Sequence, residues 1–173
     1  MKSVPHKLLL AGFSGAGKST VLRELIGLAP PEFMAFLDLD VLVRGTHSDV
    51  SSFVAKHGWD KFRESELTQL QEILSSPEKT VVALGGGTLE RAWPLIKKHP
   101  HTQVCHLDCP FAIAWERLNF DDEERPLASA GQEVMAKLYL RRQNDYQKAD
   151  FTVNASKPPR EVALAILKHL RVA

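Results

Sequence analysis

Residues 11–22 read AGFSGAGKSTVL: a glycine at Gly12, four residues, then Gly17-Lys18-Ser19. That spacing suits a loop that wraps a phosphate chain. Successive backbone N–H groups must turn inward there, through conformations that residues with a side chain resist. Gly12, Gly15 and Gly17 supply the loop, with Ala16 inside it. Lys18 can then reach the outer phosphates and the Ser19 hydroxyl can bind Mg²⁺, with Thr20 next in line. The run KLLLA before the loop reads as a strand and the residues after it as a helix, whose N-terminus favours phosphate. A nucleoside triphosphate with Mg²⁺ is the expected ligand. What remains open is where the terminal phosphate goes: to water, to a partner's switch, or to a bound small molecule.

Outward from the loop, the composition is that of one soluble domain with a sizeable core. The chain has 173 residues, 44% hydrophobic and 25% charged, with a net charge of +1. So small a charge gives no overall field for nucleic acid or an anionic membrane, and any anion site must be local. Two cysteines, Cys105 and Cys109, make no disulfide framework and fit a reducing compartment. The apolar run at the N-terminus is too short for a signal segment, and no run is long enough to span a bilayer. No extended apolar stripe is left over for a partner. A cytoplasmic monomer is expected, with no nucleic-acid or membrane partner.

Short apolar runs alternate with amphipathic stretches, the pattern of an α/β protein whose parallel sheet has helices on both faces. Strands are expected at 7–11, 34–39, 80–84, 103–107 and around 151–153. A helix over 19–26 should follow the glycine loop, with Gly27 ending it in a left-handed turn. Val50, Phe53, Val54 and His57 recur at helical spacing, as do Leu67, Leu70, Ile73 and Leu74. Pro110 suits the first position of a helix over 111–118. A closing helix carrying Val162, Leu164, Ile166, Leu167 and Leu170 starts near Pro158-Pro159. The acidic cluster DDEER, 121–125, beside small residues, reads as a mobile loop.

Ligands of open α/β sheets sit beyond the carboxyl ends of the strands. The second strand ends in DLD; alternation would point Asp38 and Asp40 the same way, one to hold water on Mg²⁺ and the other to orient or deprotonate a hydroxyl. Asp40 could instead cap a helix. The third strand runs into Gly85, Gly86 and Gly87, which allow a ligand to approach closely. Arg63 stands three residues before Glu66, in FRESE, either as an i,i+3 pair or as a site residue. Arg125 in RPL and Arg141 and Arg142 in YLRRQNDY add the positive charge that phosphoryl transfer and a carboxylate substrate both need.

Together GFSGAGKST, DLD, FRESE, ALGGG, HLDCP, RPL and RRQNDY, in this order from about residue 8 to 170, resemble the shikimate kinase family. The resemblance implies a nucleoside monophosphate kinase-like P-loop fold: three layers, α/β/α, with a five-stranded parallel sheet in the order 2-3-1-4-5. It implies a single kinase domain over residues 1–173, with substrate-binding helices at about 41–76 and a lid at about 119–131. The activity implied is ATP-dependent phosphorylation of a hydroxyl of shikimate. By position, Lys18 would hold the outer phosphates, Ser19 the Mg²⁺, and Asp38 the metal through water. Asp40 would hold the acceptor hydroxyls and serve as base or as orienting group. Arg63 and Arg142 would clamp the carboxylate, with Gly86 against the ring and Gly85 and Gly87 beside it. Arg125 would stabilise the transferring phosphoryl, and Arg117 would stack on adenine with Pro158 or Pro159 opposite.

The chain departs from the family pattern where Arg44 follows the aspartate pair in DLDVLVR, a place usually acidic, and where RRQNDY lacks the usual proline. Both departures fall around the acceptor. A related kinase for gluconate or a nucleotide is the alternative, and a non-catalytic nucleotide-binding regulator a further one.

Overall fold

The structure is a computed structural model that describes residues 5–29, 31, 33, 35–46, 50–118 and 131–170. Its strands are β1 (Lys7–Ala11), β2 (Ala35–Asp38), β3 (Thr80–Ala83), β4 (Thr102–Asp108) and β5 (Phe151–Asn154). All pair in parallel, in the order β2-β3-β1-β4-β5. Every residue of β1 and of β3 is buried, which requires cover on both faces. That is why these runs are apolar without alternation.

The helices are α1 (Lys18–Leu28), α2 (Leu39–Thr46), α3 (Val50–Ser75), α4 (Thr88–Ile96), α5 (Phe111–Glu116), α6 (Gln132–Tyr146) and α7 (Pro159–Leu170). α1 packs on α7, while α3 packs on α4 and α4 on α6. β1 lies between β3 and β4, and the chain turns from β1 toward β2 on one side before crossing to β4 on the other. The carboxyl end of β1 is therefore the point at which the winding reverses, and it feeds straight into the glycine loop.

Three local expectations are corrected. α1 runs through Gly27 to Leu28 and ends at Ala29 in extended backbone, φ −70° and ψ 150°. Ala29 precedes Pro30, and a residue before proline is driven out of the helical region. Pro110 is the N-cap, with ψ 141°, and α5 starts one residue later at Phe111 and stops at Glu116. β2 ends at Asp38, so Leu39 and Asp40 belong to α2. Alternation along a strand thus cannot align the two aspartates. Asp38 does the capping: its Oδ1 accepts from the Asp40 N–H at 3.1 Å and the Val41 N–H at 3.4 Å. α3 is also broken at Gly58, where φ 83° and ψ 162° lie outside the helical region. The period carried by Val50 to His57 and that of the segment from Trp59 onward are therefore separate.

Candidate active site

The glycine loop gets its shape from two left-handed glycines. Gly15 has φ 85°, and a Cβ there would run into the Ala114 carbonyl of α5. Gly17 has φ 89° and stands at the N-cap of α1, where no side chain caps the helix. The first turn's N–H groups are left for an anion. Lys18 is buried, and its Nζ donates to the carbonyls of Gly12 at 2.8 Å and Phe13 at 3.0 Å. The cation thus lies across the mouth of its own loop. Ser19 Oγ donates to Asp38 Oδ2, which places a hydroxyl and a carboxylate side by side at the end of β2. Two adjacent hard oxygen ligands beside a phosphate loop fit Mg²⁺.

A cavity of about 330 Å³ opens from this loop. Gly15, Gly17, Lys18, Ser19, Thr20 and Arg117 line its nucleotide end, and Asp40, Arg63, Gly86, Gly87 and Arg142 its other end. Trp59, Phe62, Val50 and Met135 supply apolar wall between the polar groups. Arg117 is fastened by donating Nη1 to the Ala155 carbonyl at 2.8 Å and Nη2 to that of Ser156 at 3.2 Å. Some expected site residues stand behind the wall. Gly12 and Ala16 are buried under the loop, Gly85 is buried, and Asp38 acts through Ser19. Pro158 is exposed at the entry to α7 and does not line the cavity. Arg125 and most of the expected lid lie outside the described residues.

The acceptor end is built from side chains on separate elements. Glu66 is 1% exposed; its Oε2 accepts from Arg63 Nη1 at 2.5 Å and its Oε1 from the Thr88 hydroxyl at 2.8 Å. Burial pushes the Glu66 carboxyl up from its ordinary range, and Arg63 opposes that shift. The carboxylate fixes Arg63 against the start of α4. The glycine run then packs between polar tips. A Cβ on Gly85 would stand 2.6 Å from both Asp40 Oδ1 and Glu66 Oε1, and one on Gly87 2.5 Å from Arg142 Nη2 and 2.8 Å from Arg63 Nη2. Gly86 abuts Ser14 of the phosphate loop, and its carbonyl accepts from the Tyr146 hydroxyl at 3.0 Å.

The two adjacent arginines of α6 separate cleanly. Arg142 is 5% exposed with its guanidinium at the cavity, whereas Arg141 is 64% exposed and pairs with Glu90 at 3.2 Å. Burial lowers the Arg142 pKa from its usual value. Its guanidinium lies over the Phe13 ring at 5.8 Å, and its Nε stands 3.7 Å from Glu90 Oε2. One turn on, Tyr146 is buried and its ring stacks on His106 of β4 at 4.8 Å. Thr88 stands in none of the sequence motifs. Glu66, Tyr146 and His106 do, as letters of FRESE, RRQNDY and HLDCP.

A phosphate loop at the winding reversal of a 2-3-1-4-5 parallel sheet, with a cavity lined by Asp40, Arg63 and Arg142 beside it, defines a P-loop kinase for small molecules. Comparison with known proteins narrows the class. A family model described as shikimate kinase matches residues 14–171. The shikimate kinase of Chlorobium chlorochromatii is 34% identical, over 88% of this chain and 84% of its own. Shikimate kinase 2 of Yersinia enterocolitica is 33% identical, over 92% of each. The structure of the Acinetobacter baumannii shikimate kinase in complex with shikimate matches with a TM-score of 0.85 at 28% identity, over 97% of this chain and 93% of that one. A gluconokinase from Sinorhizobium meliloti shares the fold, with a TM-score of 0.65 at 18% identity. The chain belongs to the shikimate kinase family. Its class of reaction is ATP-dependent phosphoryl transfer to a hydroxyl of a small molecule. Among the described residues, no helix is long and apolar enough to cross a membrane.

Proposed function

We propose that this protein transfers the γ-phosphate of ATP to a hydroxyl of shikimate. One observation carries the reading: a single cavity joins the phosphate loop to a carboxylate, Asp40, and two guanidinium groups, the half-buried Arg63 and the buried Arg142. A carboxylate bound by that pair would direct the ring hydroxyls of the same molecule toward Asp40.

In the reaction the hydroxyl oxygen forms a bond to the γ-phosphorus, the bond from that phosphorus to the β-bridging oxygen breaks, and ADP leaves. The hydroxyl proton departs through Asp40, which orients the nucleophile or accepts the proton. Lys18 neutralises the outer phosphates, and the uncapped N–H groups that follow Gly17 hold the chain of phosphates. Mg²⁺, held by Ser19 and by Asp38 through water, would screen the charge of the outer phosphates. Arg117 borders the nucleotide end, where the base edge would lie, with Pro158 outside the wall. Arg125, by the family resemblance, stabilises the charge on the moving group. We also propose one kinase domain over residues 1–173, with acceptor-binding helices over 41–76 and a lid over 119–131. The scattered exposed apolar residues and the free, buried Cys105 and Cys109 support a monomer in the cytoplasm, with neither nucleic acid nor membrane as partner.

The test is a coupled assay of ADP release with MgATP fixed and shikimate titrated from zero. Saturable, shikimate-dependent turnover is expected. A rate equal to the ATP-only blank would remove shikimate as acceptor, and gluconate and nucleoside monophosphates form the next panel.

A further inference from the structure

The cavity has more positive charge than the proposed reaction has used. Lys18 serves the nucleotide phosphates, Arg117 the base edge, and Arg63 with Arg142 the acceptor carboxylate. Arg44 also lines the wall and has no role among these. Its place follows from the helix it sits on. In α2, Leu39 and Val43 are completely buried and Val41 is 61% exposed. That leaves Asp40 and Arg44, one turn apart, along the edge that borders the cavity. Side chains so spaced have Cβ atoms about 5–6 Å apart. Both side chains line the same cavity, and a guanidinium on a long stem is within reach of a group held at the Asp40 carboxylate.

We propose that Arg44 is a specificity-determining residue that binds the phosphoryl group after it has been transferred, so that the acceptor end holds the phosphorylated product more tightly than the acceptor. This rests on the proposed reaction. With the carboxylate of the ligand clamped by Arg63 and Arg142, its reactive hydroxyl lies at Asp40. Before transfer that position holds a neutral hydroxyl, which offers Arg44 no charge. After transfer it holds a phosphate monoester, close to doubly charged at neutral pH and matched to a guanidinium fork. The ligand preferred at this end is thus a small carboxylate that also carries a phosphate ester on the opposite side of its ring. Arg44 adds little to recognition of the hydroxyl itself, and the consequence is slow product release.

The test measures binding of shikimate and of its phosphate monoester to the full chain by titration calorimetry, for the native protein and for Arg44→Gln and Arg44→Lys. Arg44→Gln should weaken the phosphate monoester about tenfold, the size of one charge-assisted hydrogen bond. Shikimate itself should weaken less than about threefold, since a neutral hydroxyl gains only an ordinary hydrogen bond from that group. Arg44→Lys should recover most of the loss, since it keeps the charge. Thermal unfolding of each variant, expected within a degree or two of the native chain for a partly exposed helix residue, guards against a folding defect. Equal weakening of both ligands, or of neither, overturns the proposal while leaving the kinase reading intact. Failure of the native chain to bind shikimate at all would overturn the reading, and the proposal with it.

Discussion

The two ends of the cavity are made in different ways. The nucleotide end is drawn largely from one contiguous stretch, joined by Arg117, and its shape depends on left-handed glycines at Gly15 and Gly17. The acceptor end is almost entirely side chain. Asp40 comes from α2, Arg63 from α3 and Arg142 from α6, and they meet because α3 packs on both α2 and α4 and α4 packs on α6. A backbone cradle reads the same phosphates in any relative. A side-chain cradle can change its ligand by single substitutions. The difference shows how one fold can keep one end of a site while the other is rebuilt.

Breaking the nucleotide end should have the largest effect. Lys18→Ala is expected to lower kcat/KM by about 10³-fold or more, because the outer phosphates lose their one buried cation on the loop. Activity within tenfold of native in that variant would sink the mechanism as drawn. The acceptor end should fail differently. Arg142→Ala should raise the shikimate KM by about 10–100-fold and leave the ATP KM within about threefold, while the neighbouring exposed Arg141→Ala changes neither by more than about twofold. Steady-state kinetics with each substrate varied in turn separates the patterns; equal loss for both substrates would deny that the ends are independent.

A smaller effect sharpens the support beneath both ends. Burial lowers the His106 pKa below its ordinary 6.5, so the unfolded chain takes up this proton before the folded one does. The native protein should therefore lose stability as pH falls through and below 6.5 on this account. His106→Phe keeps the stack on Tyr146 and should flatten that part of the profile in denaturant titrations across the range; an unchanged slope would remove His106 from the explanation. The smallest expected effect is that of Cys105→Ser. It should cost about 1–3 kcal/mol in stability, from a hydroxyl buried without a partner, and leave transfer within about twofold.

The same contrast governs how much could be read from the chain alone. The phosphate loop was legible because its ligand is gripped by consecutive residues, so spacing is geometry. The sheet order came with the family resemblance, and the strand positions from runs such as KLLLA and TVVA, apolar because both faces are covered. The aspartate pair was found for a mistaken reason. DLD looked like alternation along a strand, but Asp38 ends β2 and caps α2, and only the helix carries Asp40 to the cavity. Only the family resemblance pointed to Arg142 over Arg141, since one residue of helical rotation decides between 5% and 64% exposure and no local pattern declares it. The roles of Thr88 and Tyr146 are set wholly by long-range contacts, to Glu66 and to the Gly86 carbonyl. Such contacts leave no periodic trace in a sequence.

The tightness around the glycine run has a bearing on how this site can evolve or be redesigned. A single methyl at Gly87 meets Arg142 and Arg63 together, and one at Gly86 meets the phosphate loop through Ser14. Substitution at Gly85 or Gly87 displaces the polar tips that form the acceptor end, and at Gly86 it presses on the phosphate loop, so residues 85–87 are a poor starting point toward a new acceptor. The α2–α3 wall is a better one, because Arg44, Val50 and Trp59 border the same space from elements outside the phosphate loop. A library meant to change acceptor preference belongs on that wall, with the three glycines left alone.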